Sequence, residues 1–260
     1  LHIDTAIKLA RSNCHLLVEK PLSHSVKNIK KLLKILEKNN SITLMGCNLR
    51  FHPCIKKIRD LILKKKIGNV ISARVENGSY LPDWHPKEDY RSSYAARKDL
   101  GGGVLLTMIH ELDYLIWFFG RAKDVFSITG KFSDLKISAD DFSAMLIKFR
   151  NKVIAEIHLD YFQRSKTRSC KVIGTKGIIY WNSDNESVRL YNNRTKKWTV
   201  VMKLRNFDIN CTYVDEISYF LKCISLKKQT MNPVSQGART LDVALAIKKS
   251  SQIKRMVKLD

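Results

Sequence analysis

The sequence predicts an α/β chain: part of a doubly wound parallel sheet, followed by an α+β domain with a large, mainly antiparallel open sheet. Three observations predict it. Residues 1–48 alternate helix-periodic stretches with short apolar runs. Seven β-branched or alternating stretches crowd into residues 125–202. Between these regions, a triple glycine opens a long apolar helix.

The first helix, over 2–12, follows from Ile3, Ala6, Ile7 and Ala10 at i, i+3, i+4, i+7 spacing. The run His15–Val18 suits a strand buried on both faces. It closes at Glu19-Lys20-Pro21, because proline has no N–H to give to a ladder. Ser25 is the expected cap of a helix over 26–37, with Ile29, Leu32, Leu33 and Leu36 on one face. Asn39-Asn40 ends it, and 42–46 forms the next buried strand. Two strands do not make a stable sheet. The chain also opens on Leu1 in mid-pattern, so further strands are expected upstream and the sequence reads as a fragment.

Beyond residue 50 the pattern changes, which sets the expected domains at 1–50 and 51–260. A basic amphipathic helix covers 52–65 and a half-buried strand covers 70–80. A polar, aromatic loop runs over 81–99, and an apolar helix covers 104–119. Strands are expected at 125–132, 142–149, 153–161, 168–172, 177–181, 188–191 and 198–202. Helices over 213–226 and 239–256 close the chain.

Composition narrows the class. With 44% hydrophobic residues the chain can fill a core, and 5 prolines among 260 residues signal no long linker. The net charge of +23 is dispersed, with its densest clusters on predicted helices, so it reads as solvated helix faces. No nucleic-acid partner is expected. The excess still suits anionic ligands such as a phosphorylated cofactor or an acidic sugar. The longest apolar stretch, 104–119, is short and carries His110, Glu111 and Asp113, so no membrane segment is expected. The six cysteines form no C-x-x-C pair, which suits reduced, buried thiols in a cytoplasmic protein.

No G-x-G-x-x-G occurs, because Gly101-Gly102-Gly103 lacks the third glycine and follows a loop. Glu19-Lys20-Pro21 lies at the carboxyl end of a parallel strand, where ligands of open α/β sheets bind. A lysine there can donate to a substrate oxygen, although the tripeptide alone also fits an ordinary surface turn. His110 stands on an apolar helix with Thr107, Tyr114 and Trp117 on its stripe and Asp113 three residues on. Such an imidazole can take a hydroxyl proton while hydride leaves the same carbon, or it can be a hydrogen-bonded core histidine. No metal is expected, since His110 has no histidine partner at ligand spacing. The loop carrying Tyr80, Trp84, His85, Tyr90, Arg91, Tyr94 and Arg97 could stack on a sugar and bind an anion.

In order and spacing, four features resemble the Gfo/Idh/MocA family of glucose–fructose oxidoreductases and inositol dehydrogenases. They are Glu19-Lys20-Pro21-Leu22, Asn48-Leu49-Arg50-Phe51, Gly101-Gly102-Gly103-Val104-Leu105-Leu106 with His110-Glu111-Leu112-Asp113, and Gly174-Thr175-Lys176-Gly177. The resemblance implies an incomplete Rossmann domain, NAD or NADP as cofactor, and a sugar or polyol as substrate. It implies catalytic roles for Lys20 and His110. Glu19, Lys20, Pro21, Asn48 and Arg50 would line the cofactor. Thr107, Tyr90, Arg91, Arg97 and Asp113 would contact substrate. The family usually has aspartate where this chain has Thr107. A homo-oligomer formed through the open sheet is expected. As an alternative function, an impaired fragment or relic would bind sugars or act as a scaffold.

Overall fold

The computed structural model describes residues 2–259. In chain order its elements are α1 (His2–Arg11), β1 (Leu16–Glu19), α2 (Ile29–Lys38), β2 (Thr43–Gly46), α3 (Pro53–Leu63) and β3 (Val70–Gly78). Next come α4 (Val104–Thr107), α5 (His110–Phe119), β4 (Ala122–Gly130), β5 (Phe142–Phe149), β6 (Ile154–Asp160) and β7 (Thr167–Gly174). The rest are β8 (Gly177–Asn182), β9 (Ser187–Asn192), β10 (Lys197–Lys203), α6 (Asn210–Ser225), α7 (Val234–Ile253) and β11 (Val257–Lys258).

Backbone proximity divides the chain into two compact units. One comprises the chain through His52 plus Asp208–Leu245; the other comprises Pro53–Phe207 and the chain from Ala246 on. In space, residues 208–245 group with the first stretch of the chain. The reason is a set of long-range bonds that no periodicity announces. Met45 N donates to Asn232 O at 2.8 Å, Val234 N donates to Thr43 Oγ1 at 3.0 Å, and the Thr230 hydroxyl donates to Thr43 O. Ile42 and Leu44 form one apolar cluster with Phe220 and Cys223.

In the first unit β1 and β2 pair in parallel, Glu19 opposite Gly46. The buried stripe of α1 is Ile3, Ala6, Ile7 and Ala10, as its spacing predicts. Helix α2 starts later than expected. Asn28 is its N-cap in the left-handed region, at φ 62°, and Ser25 lies in the preceding turn with its N–H on Ser23 Oγ. Ser25 is therefore not the cap. The start of α7 also moves, to Val234, because Thr43 Oγ1 satisfies a first-turn N–H that would otherwise be orphaned.

The second unit is a nine-stranded sheet in the order β10-β9-β8-β7-β3-β6-β5-β4-β11. Every pairing is antiparallel except β3 with β6. Helices α3, α4 and α5 pack on the sheet. The single helix expected over 104–119 is broken at Met108–Ile109. Each half has its own anchor, Val104 N on Asp140 O at 2.8 Å and Glu111 on Arg168 at 2.8 Å. These anchors do not share the register of one straight helix. Burial of Leu112, Leu115, Ile116, Phe118 and Phe119 favours α5 by about 1.5–3 kcal/mol each. Together they outweigh the several kcal/mol that desolvating one paired charge costs. Four cysteines are buried, but Cys14 is only partly so and Cys211 is exposed, which corrects the expectation of uniformly buried thiols. All six are free.

Candidate functional site

In the first unit the site residues stand at the carboxyl edge of the parallel pair. Glu19 ends β1, and Lys20 and Pro21, joined by a cis bond, follow in the turn. Glu19 is exposed, while Lys20 and Pro21 are half-buried. His2 Nδ1 lies 2.9 Å from Pro21 O, so a proton on that nitrogen ties the turn to α1. Across the ladder a Cβ at Gly46 would lie 3.0 Å from the Glu19 carboxylate. The bare glycine therefore leaves room for that side chain at the strand tip.

Asn48 and Arg50 sit in the 3-10 turn after β2, and both are buried. Asn48 Nδ2 donates to Thr212 Oγ1 at 2.9 Å, and Arg50 Nη1 donates to Met231 O at 3.3 Å. These contacts shape the turn from behind. Glu19 and Lys20 are the groups of this edge with solvent access.

In the second unit the stretch 102–119 is buried except at two side chains, His110 and Trp117. His110 is thus its one titratable group that reaches solvent. Behind it Glu111 is fully buried and bonded to Arg168 Nε at 2.8 Å. Burial, then the Glu111 charge, push the Cys170 thiol up to about 12. Burial also raises the Tyr114 phenol well above its usual range. Both neighbours of the pair stay protonated, so Glu111 and Arg168 hold each other. Asp113 is buried in the same turn. Thr107 is buried at the end of α4.

The loop residues are placed differently. Arg91 pairs with Asp89 at 2.8 Å and Arg97 with Asp99 at 2.5 Å, all four side chains largely in solvent. In each pair the guanidinium holds its carboxyl below the usual carboxylate range. Tyr90 is half-buried, and its hydroxyl accepts Lys136 N at 3.2 Å. The loop meets the triple glycine because the glycines bring the backbone close. A Cβ at Gly102 would lie 2.0 Å from Tyr94 O. Sequence reasoning missed Arg168 as the partner of Glu111. It lies far along the chain, and no local spacing signals it.

Comparison with known proteins gives two matches to models of one family. Residues 1–47 match an oxidoreductase-family model with the NAD-binding Rossmann fold, and residues 55–180 match the GFO/IDH/MocA C-terminal domain. The chain belongs to the Gfo/Idh/MocA family. It is an oxidoreductase of the NAD(P)-dependent type. It is 25% identical to a myo-inositol 2-dehydrogenase of Thermotoga maritima, covering 100% of this chain and 77% of that protein. It is also 25% identical to a trans-1,2-dihydrobenzene-1,2-diol dehydrogenase of Xenopus tropicalis, covering 94% of this chain and 72% of that one. Among solved structures, a levoglucosan dehydrogenase in complex with NADH superposes with a TM-score of 0.91 at 18% identity, covering 100% and 77% of the two chains. An oxidoreductase domain protein from Kribbella flavida gives 0.88 at 18% identity, with 100% and 78% covered. These superpositions show the fold.

The edge of the parallel pair fits one end of a nicotinamide dinucleotide. The exposed Glu19 carboxylate can accept from ribose hydroxyls, and Lys20 can donate to them. No helix among the described residues is long and apolar enough to cross a membrane.

Proposed function

We propose that this oxidoreductase moves hydride to or from a carbon of a sugar, polyol or sugar derivative. His110 serves as the general acid–base, and Lys20 polarises the reacting oxygen. The observation that carries this reading is the exposure pattern of 102–119: the chain buries every titratable side chain of that stretch but His110. A group that must exchange a proton with a ligand needs such access, and an imidazole titrates near neutral pH.

In the oxidative direction His110 accepts the hydroxyl proton as the carbon–hydrogen bond breaks, and in reduction it returns that proton. The nicotinamide, when bound, takes or gives the hydride. The Lys20 ammonium donates to the oxygen as negative charge grows on it, which favours the transition state over the neutral ground state. Glu19 and Lys20 bind the ribose side of the cofactor, with Pro21, Asn48 and Arg50 shaping their edge. Thr107, Tyr90, Arg91, Arg97 and Asp113 are assigned to substrate, and the two arginines are suited to an anionic or hydroxyl-rich group. The relatives named for inositol, a dihydrodiol and levoglucosan all have names built on hydroxylated rings, which supports this class.

The same protein is read as a homo-oligomer. Phe126, Ile128, Leu146 and Ile154 are exposed on one face of the nine-stranded sheet. They lie on or beside a groove of about 510 Å³ that also includes Arg74, Glu156 and His158. A second copy meeting that face would bury the apolar strip and present the Arg74–Glu156 pair to its own image.

The test is turnover with NAD and NADP against myo-inositol, levoglucosan and related keto-sugars. A dehydrogenase should turn over at least one of them, and His110→Ala should remove that activity. Full turnover by His110→Ala would refute the assigned role.

A further inference from the structure

We propose that one end of the nine-stranded sheet docks on an anionic lipid bilayer, at the place where β11, β4 and β5 bring three basic segments of the chain together. The proposal goes beyond the oxidoreductase reading and does not depend on the role of His110.

The segments are distant in sequence and adjacent in the ladder. Arg121 precedes β4, and Lys123 is its second residue. Lys148 stands near the end of β5, with Arg150 and Lys152 in the turn that follows. Lys254, Arg255 and Lys258 come from the turn after α7 and from β11. Backbone contacts join all three segments. Arg150 N donates to Arg121 O at 2.9 Å, and Leu259 N donates to Lys123 O at 2.7 Å. In the register Lys258 lies opposite Asp124, which lies opposite Lys148. Neighbouring strands are about 4.8 Å apart, so these two ladder steps cover about 10 Å. The turn after α7 is also held in place. Ser250 Oγ donates to Arg255 O at 2.6 Å and accepts from Ser127 N at 3.2 Å.

These cations are all exposed, and none has an ion-pair partner among the described residues. Asp124, the acidic residue of this ladder, is buried and pairs with none of them. Like charges closer than the Debye length of about 8 Å are poorly screened from one another, so an anionic surface laid on this end relieves a standing repulsion. The cation clusters most visible in the sequence each lie on one helix. This one exists only in the folded chain.

The turn after α7 says which anionic surface fits. Ile253 and Met256, on either side of Lys254 and Arg255, are 47% and 61% exposed. Cations interleaved with exposed aliphatic side chains suit the headgroup boundary of a bilayer. There the charges meet lipid phosphates and the aliphatic groups enter the acyl edge. A duplex nucleic acid would use the cations and leave both aliphatic side chains in water.

The experiment is sedimentation of the protein with vesicles of phosphatidylcholine alone and of phosphatidylcholine mixed with phosphatidylglycerol. Only the mixed vesicles should carry it down, and less of it as salt rises. The double reversal Arg150→Glu with Lys152→Glu should weaken that binding by about tenfold or more, with Tm within a few degrees. Met256→Ser should weaken it about threefold at any salt. The control is Lys65→Glu with Lys66→Glu at the end of α3, which changes net charge equally and should shift binding less than about twofold. Should the first reversal fail to fold, Lys254→Glu with Arg255→Glu tests the same surface from another segment. Failure to prefer the mixed vesicles, or an equal loss in the α3 control, would overturn the proposal. Tighter binding of a short DNA duplex than of the mixed vesicles at the same salt, lost in the same reversal, would assign the surface to nucleic acid and overturn it as well.

Discussion

Two stretches of the second unit use the same ion-pair chemistry in opposite ways. Along 104–119 the Glu111–Arg168 pair is buried, and its partners lie 57 residues apart. Along the loop over 81–100 the pairs are Arg91 with Asp89 and Arg97 with Asp99, two residues apart and in solvent. The first pair cannot exchange partners without leaving a charge in the core, so it fixes α5. The exposed pairs gain little from their geometry and are screened by water and salt. Nothing in the core locks their guanidinium groups to the local carboxylates. One stretch is built to stay, the other to be rearranged.

That contrast breaks first at His110. Its replacement by alanine is expected to lower kcat by about 10²- to 10⁴-fold, with a small change in Tm. Turnover and a melting curve on the same preparation check both halves. The next largest effect is on stability. Arg168→Met leaves the buried Glu111 carboxyl without its partner, and urea unfolding should show a loss of about 3–5 kcal/mol. A loss near zero would mean that the buried pair does not anchor α5. Gly103→Ala adds a Cβ against the Asp140 carboxylate at a left-handed position. It should cost about 1–3 kcal/mol in the same assay. Arg97→Ala should leave Tm unchanged within error and raise substrate KM several-fold. A fall in Tm with KM untouched would make that pair structural.

The smallest effect concerns His158, half-exposed and bonded to the buried Asp160 carboxylate at 2.9 Å. That bond raises its pKa, against the opposing effect of burial. The protonated form is thus favoured in the fold. The stability it adds is fully present below the unfolded value of about 6.5 and is lost as pH rises through the higher folded value. Across that window Tm should fall slightly in the parent protein and stay flat in His158→Gln.

Much of the fold was legible because its signals are local. The stripe of α1 and the two apolar runs before Glu19 and Gly46 depend on neighbours within a few residues. The strand pattern of 122–203 shows in alternation alone. The break at Met108–Ile109, the late start of α2 at Asn28 and the early start of α7 at Val234 did not show. Each is set by a partner or a backbone conformation outside the periodic pattern. The parallel pairing of β3 with β6 is likewise invisible to a pattern that reads one strand at a time.

By itself the sequence determined the α/β class, the family, the lysine at a strand tip and the histidine in the apolar stretch after the triple glycine, since short motifs carry their own geometry. Only the tertiary structure decided which polar groups are buried together: Glu111 with Arg168, Asn48 with Thr212, Asp140 above Gly103. Whether a charge stands in water or in the core depends on what folds over it, and that covering comes from residues far along the chain.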